Sequence, residues 1–82
     1  MTPRLPRDLS GRELASALSK FGYDVARQTG SHLRLTTSVN GQHHVTIPAH
    51  EHLKVGTLSG ILAEVARHLE MSKSELITQL FP

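Results

Sequence analysis

Thr29-Gly30-Ser31-His32-Leu33-Arg34-Leu35 is a glycine turn running into a strand, and how it is read decides the fold. By the two-residue period of a strand, Leu33 and Leu35 share one face while His32, Arg34 and Thr36 share the other. With the leucines on a core, a histidine and an arginine point outward from a rigid backbone. Imidazole titrates near neutrality and guanidinium pairs well with phosphate oxygens. That face therefore suits proton transfer on an anionic substrate.

The neighbouring segments extend the sheet. Tyr23 to Arg27 reads as a short strand with Tyr23 and Val25 inward, residues 31–38 as a second, and 42–48 as a third with Val45 and Ile47 inward. Cross-strand partners share a face, which constrains both hairpins. A two-residue turn at Asn40-Gly41 would set Arg34 against Ile47 and mix the faces. A three-residue loop, 39–41, pairs Leu35 with Val45 and Leu33 with Ile47, with Gly41 in the left-handed position. The same reasoning gives the first hairpin a loop at 28–30, with Val25 opposite Leu33 and Ala26 opposite His32. The outer face is then Ala26, Gln28, His32, Arg34, Thr36, His44 and Thr46, polar and nearly free of acid.

Helices flank the strands. Ser10 and Glu13 have capping-box spacing, with Leu9 and Leu14 placed for a hydrophobic staple. Leu14, Ala17, Leu18 and Phe21 follow at helical spacing, and Gly22 supplies a left-handed stop. Pro48 ends the sheet, residues 49–56 connect, and Thr57 is an N-cap for a helix carrying Leu58, Ile61, Leu62, Val65 and Leu69. Ser72 and Glu75 open a last helix with Leu76, Ile77 and Leu80 on one side. The order α-β-β-β-α-α predicts an α+β fold, a three-stranded antiparallel sheet with helices on one face and a short C-terminal helix. Residues 1–8, with two prolines and no period, read as a flexible N-terminal arm. Residues 9–82 read as one domain.

Composition narrows the chemistry. The 82-residue chain has room for one modest core, and with only three aromatics that core rests on Leu, Ile and Val. It has no cysteine, which removes disulfides, thiolate nucleophiles and Cys-based zinc sites. Its net charge of +2, with six histidines besides, inclines it to a polyanionic partner. No run is long and apolar enough for a membrane span, and no signal-peptide pattern opens the chain, so a cytoplasmic protein is expected. The histidines suggest a metal, but His43 and His44 point to opposite faces and no helical His-x-x-x-His occurs, so no metal or other cofactor is expected. His68, beside Arg67, reads as a surface residue.

Gly30-Ser31-His32 before the second strand, Ile47-Pro48-Ala49-His50 closing the third, and Lys54-Val55-Gly56-Thr57-Leu58 opening the next helix form an ordered set. Together with the element order, over roughly residues 11–69, this set resembles the HicA toxin family, also called YcfA-like. These are small ribonucleases of type II toxin–antitoxin pairs with a double-stranded-RNA-binding-domain-like fold. The resemblance implies an mRNA interferase, held inactive by a HicB-type antitoxin covering the His32 face. It puts the catalytic histidine on His32, with Gly30, Ser31, His50 and Thr57 at other motif positions. The chain departs from the pattern in its proline-containing arm and in Val55, where a polar residue is common.

From chemistry alone, metal-free RNA cleavage needs a base for the 2′-hydroxyl proton, an acid for the leaving oxygen, and positive charge on the phosphate. His32 can serve as base or acid and Arg34 can steady the phosphate. His44 and His50 are both candidates for the second proton-transfer group. Arg27, Arg34 and Lys54 are candidates for a phosphate-tracking patch, to which the helix N-terminus around Thr57 would add free amides. The RNA-contacting set is thus Gly30, Ser31, Arg34, His44, His50, Lys54 and Thr57. The competing reading is a non-catalytic RNA-binding or protein-interaction module of the same fold.

Overall fold

The computed structural model describes residues 5, 6 and 8–82. Most of the predicted arm, residues 1–4 and 7, lies outside these; Leu5 is half-buried against the core. Helix α1 is Gly11–Leu18, followed by a single 3-10 turn at Ser19–Phe21. The strands are β1 Asp24–Thr29, β2 His32–Thr37 and β3 His43–Pro48. Helix α2 is Val55–His68 and α3 is Lys73–Leu80. The strands form one antiparallel sheet in the order β1-β2-β3, which matches the predicted α+β arrangement.

Burial alternates along β2 and β3 as the two-residue period requires: Leu33, Leu35, Val45 and Ile47 are buried, while His32, Arg34, His44 and Thr46 are exposed. The buried set joins Leu14 and Leu18 of α1, Leu58, Leu62 and Val65 of α2, and Leu76 and Leu80 of α3 in one core. Both helical layers therefore lie on one face and leave the other to solvent. Thr37, the one buried polar side chain among the described residues, is satisfied. Its hydroxyl donates to the Phe21 carbonyl and accepts from the Val39 amide, each at 3.1 Å.

The predicted helix ends are mostly realised. Ser10 Oγ accepts from the Glu13 amide and Glu13 Oε1 accepts from the Ser10 amide, both at 3.0 Å, a complete capping box. The same bonds hold the Glu13 carboxyl below its ordinary pKa. Gly22, at φ 80°, makes the left-handed stop. Ser72 Oγ caps α3 through the Glu75 amide at 3.0 Å.

Helix α2 departs from expectation. It begins at Val55 with Lys54 as N-cap and no side-chain cap, so Thr57 lies inside the first turn. The cause is Leu53, which is buried and whose amide donates to the Leu9 carbonyl at 2.8 Å. Leu53 before the cap and Leu58 four residues into the helix both enter the core, the arrangement of a hydrophobic staple. That pair fixes the start without a hydroxyl.

The second hairpin has the predicted register, Leu33 opposite Ile47, Leu35 opposite Val45 and Thr36 opposite His44, with Gly41 at φ 97°. The first does not. Thr29 opposes His32, Gln28 opposes Leu33 and Arg27 opposes Arg34, while Val25 opposes Leu35, so Ala26 is an extra residue in a β-bulge. The loop is only Gly30-Ser31, with Gly30 at φ 55° in the first central position that favours glycine. Val25 faces inward but is 51% exposed, because an open groove lined by Arg12, Ser16, Ser19 and Asp24 separates α1 from the edge strand beside it.

Candidate active site

His32 is the first residue of β2, directly after the two-residue turn, and is exposed. Its neighbours across the sheet are Thr29 on β1 and Pro48 on β3, in place of the predicted Ala26. The turn is tied to the exit of β3 by the Ala49 amide, which donates to the Ser31 carbonyl at 2.6 Å. The exit is tied in turn to α1, where the Gly11 amide donates to the His50 carbonyl at 2.9 Å. This second tie requires close approach: a Cβ on Gly11 would fall 1.9 Å from the Pro48 carbonyl oxygen. The start of α1 therefore positions the segment bearing His50 beside the turn bearing His32. Sequence reading found Gly11 only as a residue inside a capping box.

The predicted site residues divide into two groups. Gly30, Ser31, His32 and His50 are brought together by these backbone ties. Arg34 is exposed two residues along β2 on the same face. His44 is exposed on that face too, but it pairs with Thr36, four residues from His32 and so about 13 Å along the strand. Lys54 and Thr57, both exposed, stand at the cap and in the first turn of α2, and no side-chain hydrogen bond among the described residues joins them to the His32 row. Of the two candidates for a second proton-transfer group, His50 lies on the segment tied to the turn before His32, and His44 lies farther along the sheet.

The shorter turn alters the face from the one expected. It puts Arg27 outward opposite Arg34 and Gln28 on the inward side opposite Leu33, and the bulge at Ala26 then keeps Val25 inward opposite Leu35. The only ion pairs among the described residues are His43 with Glu64 at 3.7 Å and His52 with Asp8 at 3.8 Å, so neither arginine has a carboxylate partner.

A different histidine cluster occupies the far end of the sheet. The rings of His43 and His68 stack with centroids 4.3 Å apart. His68 Nε2 donates to the carbonyls of Val39 and Gly41 at 2.9 and 3.0 Å, and Asn40 Nδ2 donates back to the His68 carbonyl at 2.8 Å. Tyr23 Oη lies 2.8 Å from His43 Nδ1. Burial first, and Glu64 second, push the tyrosine pKa up to about 12, so the hydroxyl keeps its proton. His43 Nε2 lies 3.7 Å from Glu64 Oε1. Burial, followed by His68, lowers the His43 pKa. His68, expected at the surface, is thus half-buried in a tertiary contact. The side chains of His32, His44 and His50 have no hydrogen bond or ion pair among the described residues. No group of three or more His, Cys, Asp or Glu side chains suited to a metal occurs among them either.

A family model described as HicA toxin of bacterial toxin-antitoxin covers residues 11–67, more than half of the chain, from the first residue of α1 to near the end of α2. No curated protein and no solved structure matches significantly.

Proposed function

The chain belongs to the HicA toxin family of bacterial toxin–antitoxin systems, and from that premise we propose that it is an endoribonuclease cleaving mRNA, with His32 as general acid or base. One observation carries the reading. His32 is exposed on a rigid strand with no hydrogen bond or ion pair to its ring among the described residues, and it stands one row from two arginines that have no carboxylate partner among them. A ring free on both nitrogens can take the 2′-hydroxyl proton or give one to the departing 5′-oxygen. Arg34 supplies positive charge beside the reacting phosphate. His50 is the second proton-transfer group favoured by the backbone ties. His44, Lys54 and Thr57 contact RNA farther from the reacting phosphate, and Gly30 and Ser31 offer a turn without bulk against which the chain lies. The reaction needs no metal.

An active ribonuclease of this kind works in the cytoplasm and needs restraint there. A HicB-type antitoxin covers the His32 face in the resting complex. No helix among the described residues is long and apolar enough to cross a membrane. The second reading, an RNA-binding or protein-interaction module without catalysis, draws on the same basic face. Cleavage of a mixed RNA in chelator by the purified chain, compared with its His32→Ala variant, separates the two. Cleavage by the first and not the second supports the nuclease. Intact RNA with both, in folded protein, supports the module.

A further inference from the structure

Arg27 and Arg34 are cross-strand partners on the outer face, so their Cβ atoms lie within about 5.5 Å of each other. Like charges set directly opposite in a sheet are destabilising. Neither arginine is ion-paired among the described residues. The two-residue turn at Gly30-Ser31 sets this pair, and the extra residue at Ala26 then returns Val25 to the inward face. Bulges are over-represented beside active sites, and this one adjoins the two cations.

The next row of the sheet is Thr29–His32–Pro48, two residues away and so about 7 Å along the strand. On the other side of Arg34 stands Thr46, exposed and with a hydroxyl to donate. Two arginines and a threonine thus share one outward row next to that of the exposed histidine, and forked guanidiniums so placed suit a phosphate oxygen pair.

We infer that Arg27 and Arg34 together bind a single phosphodiester of single-stranded RNA, the one adjoining the linkage presented to His32. The inference rests on the reading of the outer face as the RNA-binding face. It adds that the pair, and not either arginine alone, is the unit of binding, and that a lone linkage lacks the contact a longer chain makes.

The test reads binding in a chain that cannot cleave. In the His32→Ala protein, the affinity for a labelled ten-nucleotide single-stranded RNA is measured across salt concentrations. Each bound phosphate of a single strand contributes about 0.7 to the slope of log affinity against log salt. Arg27→Ala is expected to lower the slope by about 0.7, Arg34→Ala by the same, and the double variant by little more than either single one. Arg12→Ala, on the helical side, is expected to leave the slope unchanged. An unaltered slope with Arg27→Ala, an equal loss with Arg12→Ala, or no RNA binding by the His32→Ala protein overturns the inference. The proposed reaction is judged separately by cleavage. A chain that cleaves without Arg27 dependence loses only the phosphate pair. One that binds through Arg27 but never cleaves keeps the pair and loses the nuclease.

Discussion

At the loop end of the sheet, His43 and His68 are stacked, half-buried and hydrogen-bonded through Tyr23 Oη and the carbonyls of Val39 and Gly41. At the turn end, His32 has the same imidazole, the same sheet beneath it, and no such partner among the described residues. A histidine whose nitrogens are engaged serves the fold, and its proton is not available for exchange with a substrate. A histidine left free on a rigid strand adds little to stability and is available for chemistry. Residue type says nothing about which is which, and neighbours across the sheet decide it.

Exchanging the substitutions tests this directly. His32→Ala is expected to lower RNA cleavage by roughly 10²–10⁴-fold, the usual range for one acid–base group. Its thermal midpoint should stay where it is, because an exposed side chain without partners contributes within about 0.5 kcal/mol. A large drop in the midpoint would make His32 a structural residue like His43.

Gly11→Ala comes next. With a Cβ 1.9 Å from the Pro48 carbonyl, backbone must move, and overpacking of this kind costs about 1–3 kcal/mol, read from urea unfolding. Because the displaced segment carries His50, cleavage by the folded fraction should fall as well. Stability loss with unchanged cleavage would remove the exit segment from the site.

Tyr23→Phe acts only at the partnered end. It takes away the hydroxyl paired with His43 Nδ1 and is expected to cost about 1 kcal/mol, with cleavage per folded molecule unchanged.

The smallest effect is in pH. The His43 pKa is lowered in the folded protein, chiefly by burial, so the unfolded chain binds that proton more readily. The associated stability is complete above about pH 6.5, the unfolded value, and is lost as pH falls toward the lowered folded value. Urea midpoints should therefore drop between pH 7.5 and 5.5, and drop less in His43→Gln. An equal drop in both would mean that the acid sensitivity lies elsewhere.

Much of this was legible in the sequence, for reasons that particular residues make plain. Leu33, Leu35, Val45 and Ile47 alternate so strictly that only one register of the second hairpin keeps them together, and that register is the one observed. No such anchor exists in Ala26-Arg27-Gln28-Thr29, where no apolar side chain marks the inward face. The sequence there is compatible with a bulge or without one, so Arg27 could be suspected of binding phosphate but not set opposite Arg34. The start of α2 was missed because its determinant is the burial of Leu53, and Thr57 offered a better-looking cap. The Tyr23–His43–His68 cluster joins residues 20 and more positions apart and leaves no local trace. Of the site, the turn, the outward histidine and the exit segment could be read locally, whereas the ties holding them together, through Gly11 and Ser31, could not.

Strand β1 is an edge of the sheet, with all six residues exposed and its outer backbone groups unpaired by any other strand among the described residues. An edge of that kind invites another copy to continue the ladder and precipitate. The bulge at Ala26 interrupts the run of evenly spaced amides and carbonyls in its middle, and Asp24 and Arg27 set opposite charges on either side of the break. Two copies docking edge to edge would meet out of step, which favours a chain that stays dispersed in solution at high concentration.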